Sequence, residues 1–278
     1  MNIRTDLIAE QQEQNAENLN GIKTREEKIG STVISTVKIC EDSASKILGK
    51  PKGTYCTVEF ERLDRVCDTE DLINATVKAL ENLIPKKWKS VLVVGLGNTD
   101  ITPDALGPFT ADGVLATRHL NSDLKRTLGL EGLQEVSCLV PGVLGKTGIE
   151  TYDIIASTAK EINPSVIIAV DALAARSPHR LCRTVQLSDS GICPGAGVNN
   201  SRRELSLKTV GIPVIAVGIP TVIDANGLFH GEGILKENMM VTPKEIDLLV
   251  EKSAAVLSRA LNIFLQPSLD ISIIESLT

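Results

Sequence analysis

VLVVGLGNTDITPDALGP, residues 91–108, decides how the rest of the chain is read. Its apolar opening is the pattern of a strand buried on both faces, and Gly95-Leu96-Gly97 lets the chain turn sharply off it. A dinucleotide-binding turn begins in the same way, because glycines there let a pyrophosphate approach the backbone. The match then stops, since Asp100 stands where the third glycine belongs. Thr102-Pro103-Asp104 reads instead as a helix start, with Thr102 as N-cap, Pro103 at the first helical position and Asp104 in the first turn. A helix dipole favours an ionised carboxylate at that point by about 0.3–1 kcal/mol. An acid in a first turn is ordinary capping, so Asp104 alone does not establish chemistry.

Outward from this stretch, apolar runs and helical patterns alternate. Strands are expected at 90–95, 135–140, 165–170, 183–187 and 213–218, and helices at 104–120, 149–161 and 242–265. Continuous Val/Ile runs separated by helices predict an α/β fold with a mainly parallel central sheet and helices on both faces. Upstream, residues 31–40 and 54–60 alternate and are β-branched, which predicts a β-rich region joined through Lys-Gly-Thr turn chemistry. Residues 69–84 have helical spacing, with Thr69 as N-cap. Residues 1–30 read as an N-terminal arm, and 31–278 as a single α/β domain.

Bulk properties narrow the function. The chain has 278 residues, a formal charge of −6 and 3% aromatic residues, a balance that argues against nucleic-acid binding. No apolar run approaches the ~18 residues of a membrane span. Residues 1–30 lack the apolar core of an export signal, so a cytoplasmic protein is expected. The six cysteines form no CxxC pair, and the three histidines have no ligand spacing with them, so neither a metal nor another cofactor is expected.

Chemistry in open α/β sheets gathers at the carboxyl ends of the strands. Asp171, in VIIAVDALAAR (166–176), follows a buried apolar run and, like Asp104, precedes Ala-Leu. Two such acids can face one another across a cleft, share a proton, and supply both base and acid for activating water. Asp224 is a further acid at the end of an apolar run. The loop SDSGICPGAGVNNSRRELS (188–206) brings Asn199, Arg202 and Arg203 together, and with nearby Arg176 these are candidates to receive an acidic substrate side chain. PGVLGKTGIET (141–151) carries Lys146 but lacks Walker spacing, and reads as a second active-site loop. Two other readings remain open on the residues alone: a nucleotide- or phosphate-binding enzyme using Gly95, Gly97 and the 141–148 loop, and a non-catalytic binding protein.

The motifs GLGNTDITPDALGP, PGVLGKTGIET, VDALAARSPHR, QLSDSGICPGAGVNNSRRELS, VGIPTVIDA and MVTPKEID, in this order, closely resemble the spore germination protease family, as does the N-terminal IRTDLIAE. The resemblance runs from about residue 3 to 262 and implies an endopeptidase that degrades small acid-soluble spore proteins when a spore germinates. It implies an aspartic-type enzyme whose functional carboxylates are Asp104 and Asp171, with cleavage after Glu or Asp and before a hydrophobic residue. It also implies a latent homotetramer in the spore core that trims its own N-terminus at Asp6-Leu7, making residues 1–6 propeptide-like. Ile8 stands where the family carries alanine, and residues 226–239 stand where it carries a longer insertion. The opening stretch is also similar to the nickel–iron hydrogenase maturation proteases, which suggests a shared fold and a metal-dependent alternative. Ala105 replaces their first carboxylate ligand, which argues against that alternative.

Overall fold

The computed structural model describes residues 5–15, 20–65, 68–127, 130, 132–195, 203–225, 239–270 and 272–274. Among the described residues, nine strands form one sheet: β1 (Ile22–Ile29), β2 (Thr32–Ile39), β3 (Gly53–Glu59), β4 (Ser90–Gly95), β5 (Glu135–Leu139), β6 (Val166–Ala175), β7 (Thr184–Ser188), β8 (Val214–Asp224) and β9 (Met240–Val241). The helices are α1 (Ile8–Gln14), α2 (Asp42–Leu48), α3 (Glu70–Leu83), α4 (Leu106–Asp112), α5 (Ser122–Thr127), α6 (Leu144–Thr147), α7 (Thr151–Ile162), α8 (Leu207–Val210) and α9 (Ile246–Leu265).

Strand order is β1-β2-β3-β7-β8-β6-β4-β5, with β9 added beside β8. One half of the sheet, β5-β4-β6-β8, is parallel. The other half, β1-β2-β3-β7, is antiparallel and joins the first along β7 and β8. The chain therefore forms the expected α/β fold, with a mixed sheet in which the β-rich region is an antiparallel wing beside the parallel half.

The continuous apolar runs are explained by burial on both faces. Val91, Val93, Ile168 and Val170 pack under α3, α4 and α9. Their alternate neighbours Leu92, Val94, Ile167 and Ala169 pack against Tyr152, Ile155 and Ala159 of α7. On the wing, Ile8 of α1 and Ala44 and Leu48 of α2 cover Val37, Ile39 and Tyr55. Each fully buried Leu or Ile contributes about 1.5–3 kcal/mol.

Three local expectations change. The helix expected over 104–120 is only α4, Leu106–Asp112. Asn262 of α9 closes its end, donating to the Gly113 carbonyl at 2.9 Å and accepting the Leu115 N–H at 2.9 Å. A buried amide from a distant helix thus satisfies groups that would otherwise continue the helix. The segment between β2 and β3 is not a simple turn, because α2 occupies it. Residues 22–29, read as arm, form the exposed edge strand β1, whose many charges hid its register with β2.

Candidate active site

The cleft arises because β4 stops short of β6 and β8. β4 ends at Gly95, paired with Val170 of β6, while β6 and β8 run on together to Ala175 and Ile223. Asp171 is the first residue of β6 beyond the end of β4. The strand was expected to end before it; the structure shows Asp171 inside the strand, exposed to the cleft by the shortness of β4 instead. The side chain is only 7% exposed, and its carboxylate accepts the Ala172 N–H at 2.9 Å. Opposite it on β8 is Gly218, where a Cβ would run into the Asp171 carbonyl and the Leu173 side chain.

Asp104 is held by main-chain bonds rather than by a helix dipole. Thr102–Asp104 is a single 3₁₀ turn preceded by Ile101, and α4 starts only at Leu106. Thr102 is therefore not an N-cap, and a three-residue turn sums too few peptide dipoles to favour a charge. The Asp104 N–H donates to the Ile101 carbonyl at 2.7 Å, and the Asp104 carbonyl accepts the Asn98 N–H at 3.0 Å. Gly97 makes this approach feasible: its φ is +124°, and a Cβ would overlap the Asp104 carbonyl oxygen. The freedom that suggested a phosphate loop is spent on bringing Asp104 close.

From the other side, Thr221 donates its hydroxyl to the Pro103 carbonyl at 2.7 Å. Thr221 is the extra residue of a β-bulge, since the pairing with β6 passes from Leu173–Pro220 to Ala174–Val222. A bulge re-aims a strand residue, here toward the turn that carries Asp104. The Thr242 hydroxyl bonds the Thr221 carbonyl at 2.9 Å.

Asp104 and Asp171 line one cavity of about 650 Å³, large enough for several residues of an extended peptide. The extension of β6 and β8 lines it, together with the loops around Lys50 and Cys193. Tyr55 contributes a phenol whose pKa burial raises to about 12; it donates to the Pro51 carbonyl at 2.7 Å.

The N-terminal arm enters this cavity. Asp6 donates its N–H to the Ala174 carbonyl at 2.9 Å, and its carboxylate accepts the Ala174 N–H at 2.8 Å. Leu7 is fully buried against Leu173 and Ala175. The Ile8 N–H reaches the Gln186 side chain at 3.1 Å. Glu10, 1% exposed, accepts the N–H groups of Arg176 and Ser177, both at 2.8 Å.

The structure thus brings Asp6, Leu7, Asp104 and Asp171 together, and separates other candidates from them. Lys146 pairs with Asp100 at 2.5 Å and is not among the cavity-lining residues. Arg176 meets the arm through its backbone, while Arg203 lies 3.9 Å over the Tyr152 ring and 3.5 Å from Asp153. Asn199 and Arg202 lie outside the described residues. Asp224 ends β8 opposite Met240. Lys50, Gln186 and Thr221 line the cavity without having been anticipated. The first two belong to the wing, and for Thr221 the proline within the apolar run VIAVGIPTVI was the available cue, because proline in a strand marks an edge or a bulge. Among the described residues, no three His, Cys, Asp or Glu side chains gather closely enough to hold a metal ion, and no helix is long and apolar enough to cross a membrane.

Residues 2–231 match the family model described as germination protease. The germination protease of Caldanaerobacter subterraneus subsp. tengcongensis is 39% identical, the alignment covering 97% of this chain and 96% of that one. That of Clostridium tetani is 35% identical over 99% of both chains, and that of Priestia megaterium 47% identical over 80% of this chain and 64% of its own. Among solved structures, a [NiFe] hydrogenase maturation protease from Thermococcus kodakarensis KOD1 shares 17% identity, covers 66% of this chain and 98% of its own, and superposes with a TM-score of 0.39. The chain belongs to the germination protease family.

Proposed function

We propose that this peptidase is an aspartic-type endopeptidase in which Asp104 and Asp171 act as one proton-sharing pair. The observation that carries this is their convergence on one cavity together with an acid–leucine segment of the chain's own arm. Close carboxylates cannot both ionise easily, so one is charged and the other protonated at working pH. The charged member takes a proton from water, and the oxygen attacks the scissile carbonyl carbon. The protonated member donates a hydrogen bond to the carbonyl oxygen as negative charge develops there. A proton then passes to the amide nitrogen, the C–N bond breaks, and the pair is restored. The pair titrates jointly, so the two roles belong to the dyad rather than to fixed residues.

The substrates are small acid-soluble spore proteins, cut after Glu or Asp and before a hydrophobic residue, during germination in the spore core. Family membership supports this, as does Asp6 in the cavity lining with Leu7 buried beside it against Leu173. The arm makes the chain its own first substrate: cleavage at Asp6-Leu7 converts a latent form, which assembles as a homotetramer, into an open one.

The test is to incubate the purified chain with an acid-soluble spore protein, with and without chelator, and to sequence the new N-termini. Cuts after Asp or Glu that persist in chelator are expected. Cuts elsewhere would remove the specificity, and loss of all cutting in chelator would replace the proton-sharing pair with a metal-bound water.

A further inference from the structure

The acid and the leucine at the arm's entry go to different places. Leu7 sinks between Leu173 and Ala175, while the Asp6 carboxylate is fixed by the Ala174 N–H. A loop of the wing closes on the same space. α2 ends at Gly49 in the left-handed conformation (φ +62°), and the Lys50 N–H returns to the Ser45 carbonyl at 3.2 Å. The Ser45 hydroxyl bonds the Lys50 carbonyl at 2.7 Å, and the Tyr55 hydroxyl bonds that of Pro51, also at 2.7 Å. The backbone that carries Lys50 is therefore pinned from both sides. Among the described cavity-lining residues, Lys50 is the one basic side chain; Asp6, Asp104, Asp171 and Glu204 carry carboxyl groups. Burial pulls its ammonium below the usual lysine range, and the Asp6 carboxylate is the charge that opposes this.

We propose that Lys50 and the Ala174 N–H form the subsite that receives the acidic side chain preceding the cut bond, with Asp6 as its resident occupant and the Leu173–Ala175 recess taking the residue that follows. This rests on the reading of the cavity as a peptidase site. A cation on a pinned loop and a backbone N–H pointing outward from the strand edge together recognise a carboxylate and reject an amide of the same shape. The amide would leave the partly buried ammonium without an opposing charge. Lys50 is in this account a specificity residue, and it takes no part in the proton transfers.

The test uses the full chain and two peptides differing only at the residue before leucine, Asp in one and Asn in the other. The ratio of their kcat/KM values is read for the wild type, K50M, K50R and K50E. The ratio is internal to each preparation, so a partly folded variant still reports it, and K50Q replaces K50M if the latter does not fold. The expected result is a roughly 10- to 100-fold fall in the ratio for K50M, the span of one lost charge-assisted contact. K50R should keep most of the ratio, and K50E should invert it in favour of the Asn peptide. The chain's own 6–7 bond gives a second reading by mass: D6N should slow its cleavage in the wild-type background and not in K50M. A wild-type ratio in K50M and K50Q overturns the subsite and leaves the peptidase intact. A wild type that cuts neither peptide nor its own arm overturns both.

Discussion

The parallel half of the sheet and its antiparallel wing do different jobs. The parallel half supplies Asp104 and Asp171, through the turn after β4 and the overhang of β6. The wing supplies the opposite wall: the Lys50 loop, Tyr55, and Gln186, which anchors the arm by accepting the Ile8 N–H. In the proposed reading, bond breaking belongs to the parallel half, and the choice of substrate is shared between the Lys50 loop of the wing and the overhang of β6. If so, the reactive carboxylates and the Lys50 contact can be altered separately.

The largest expected effect falls on the parallel half. Asp104→Asn and Asp171→Asn should each lower cleavage of an acid-soluble spore protein by roughly a thousandfold or more, the scale for removing a group that transfers the proton. Thermal unfolding should move little by comparison. Next, Gly97→Ala forces a Cβ against the Asp104 carbonyl and should lower kcat by roughly 10- to 100-fold, because displacement of about 1 Å has that cost. A Gly97→Ala enzyme with wild-type kcat would mean that Asp104 is not positioned through this turn.

On the wing, Lys50→Met should change selectivity without a matching loss of stability. Burial works against the charged ammonium, so its removal relieves a cost in the folded state. Unfolding of Lys50→Met at or above the wild-type temperature checks this, and marked destabilisation would make Lys50 a structural cation. The sign of the pH effect follows from the same shift. With the folded pKa lowered, acid preference holds below that value and is lost as pH rises through it, at a lower pH than an exposed lysine near 10.4 would allow. A preference that persists unchanged above that range would separate it from Lys50.

The smallest effect is on the arm. Glu10→Gln weakens the grip on the Arg176 and Ser177 amides. Hydrogen exchange at those two amides should quicken, while the core of β4 and β6 stays protected.

The two halves also differ in how openly the sequence displays them. Asp171 stands out because buried parallel strands read as continuous apolar runs and it directly follows one. Asp104 alone reads as ordinary capping, and gains weight from the Asp-Ala-Leu pattern it shares with Asp171. The reasons for their placement were less visible. Asp171 owes its access to the length of β4, and Asp104 owes its position to the Thr221 bulge and to Gly97. Each is a contact between distant segments. Lys50 sits in a stretch that local patterning read as a turn, and antiparallel pairing of β3 with β7 carries it to the cavity. The short α4 depends on Asn262, which no local window around residue 113 contains.

Whether Asp104 and Asp171 act as one unit is decided by the double variant. The rate of cleavage of an acid-soluble spore protein is measured for Asp104→Asn, Asp171→Asn and the two combined. A shared-proton pair predicts that the double variant is within a few-fold of either single variant, because the first substitution already abolishes the unit. A loss in the double equal to the product of the two single losses, or wild-type cleavage by either single variant, would contradict it.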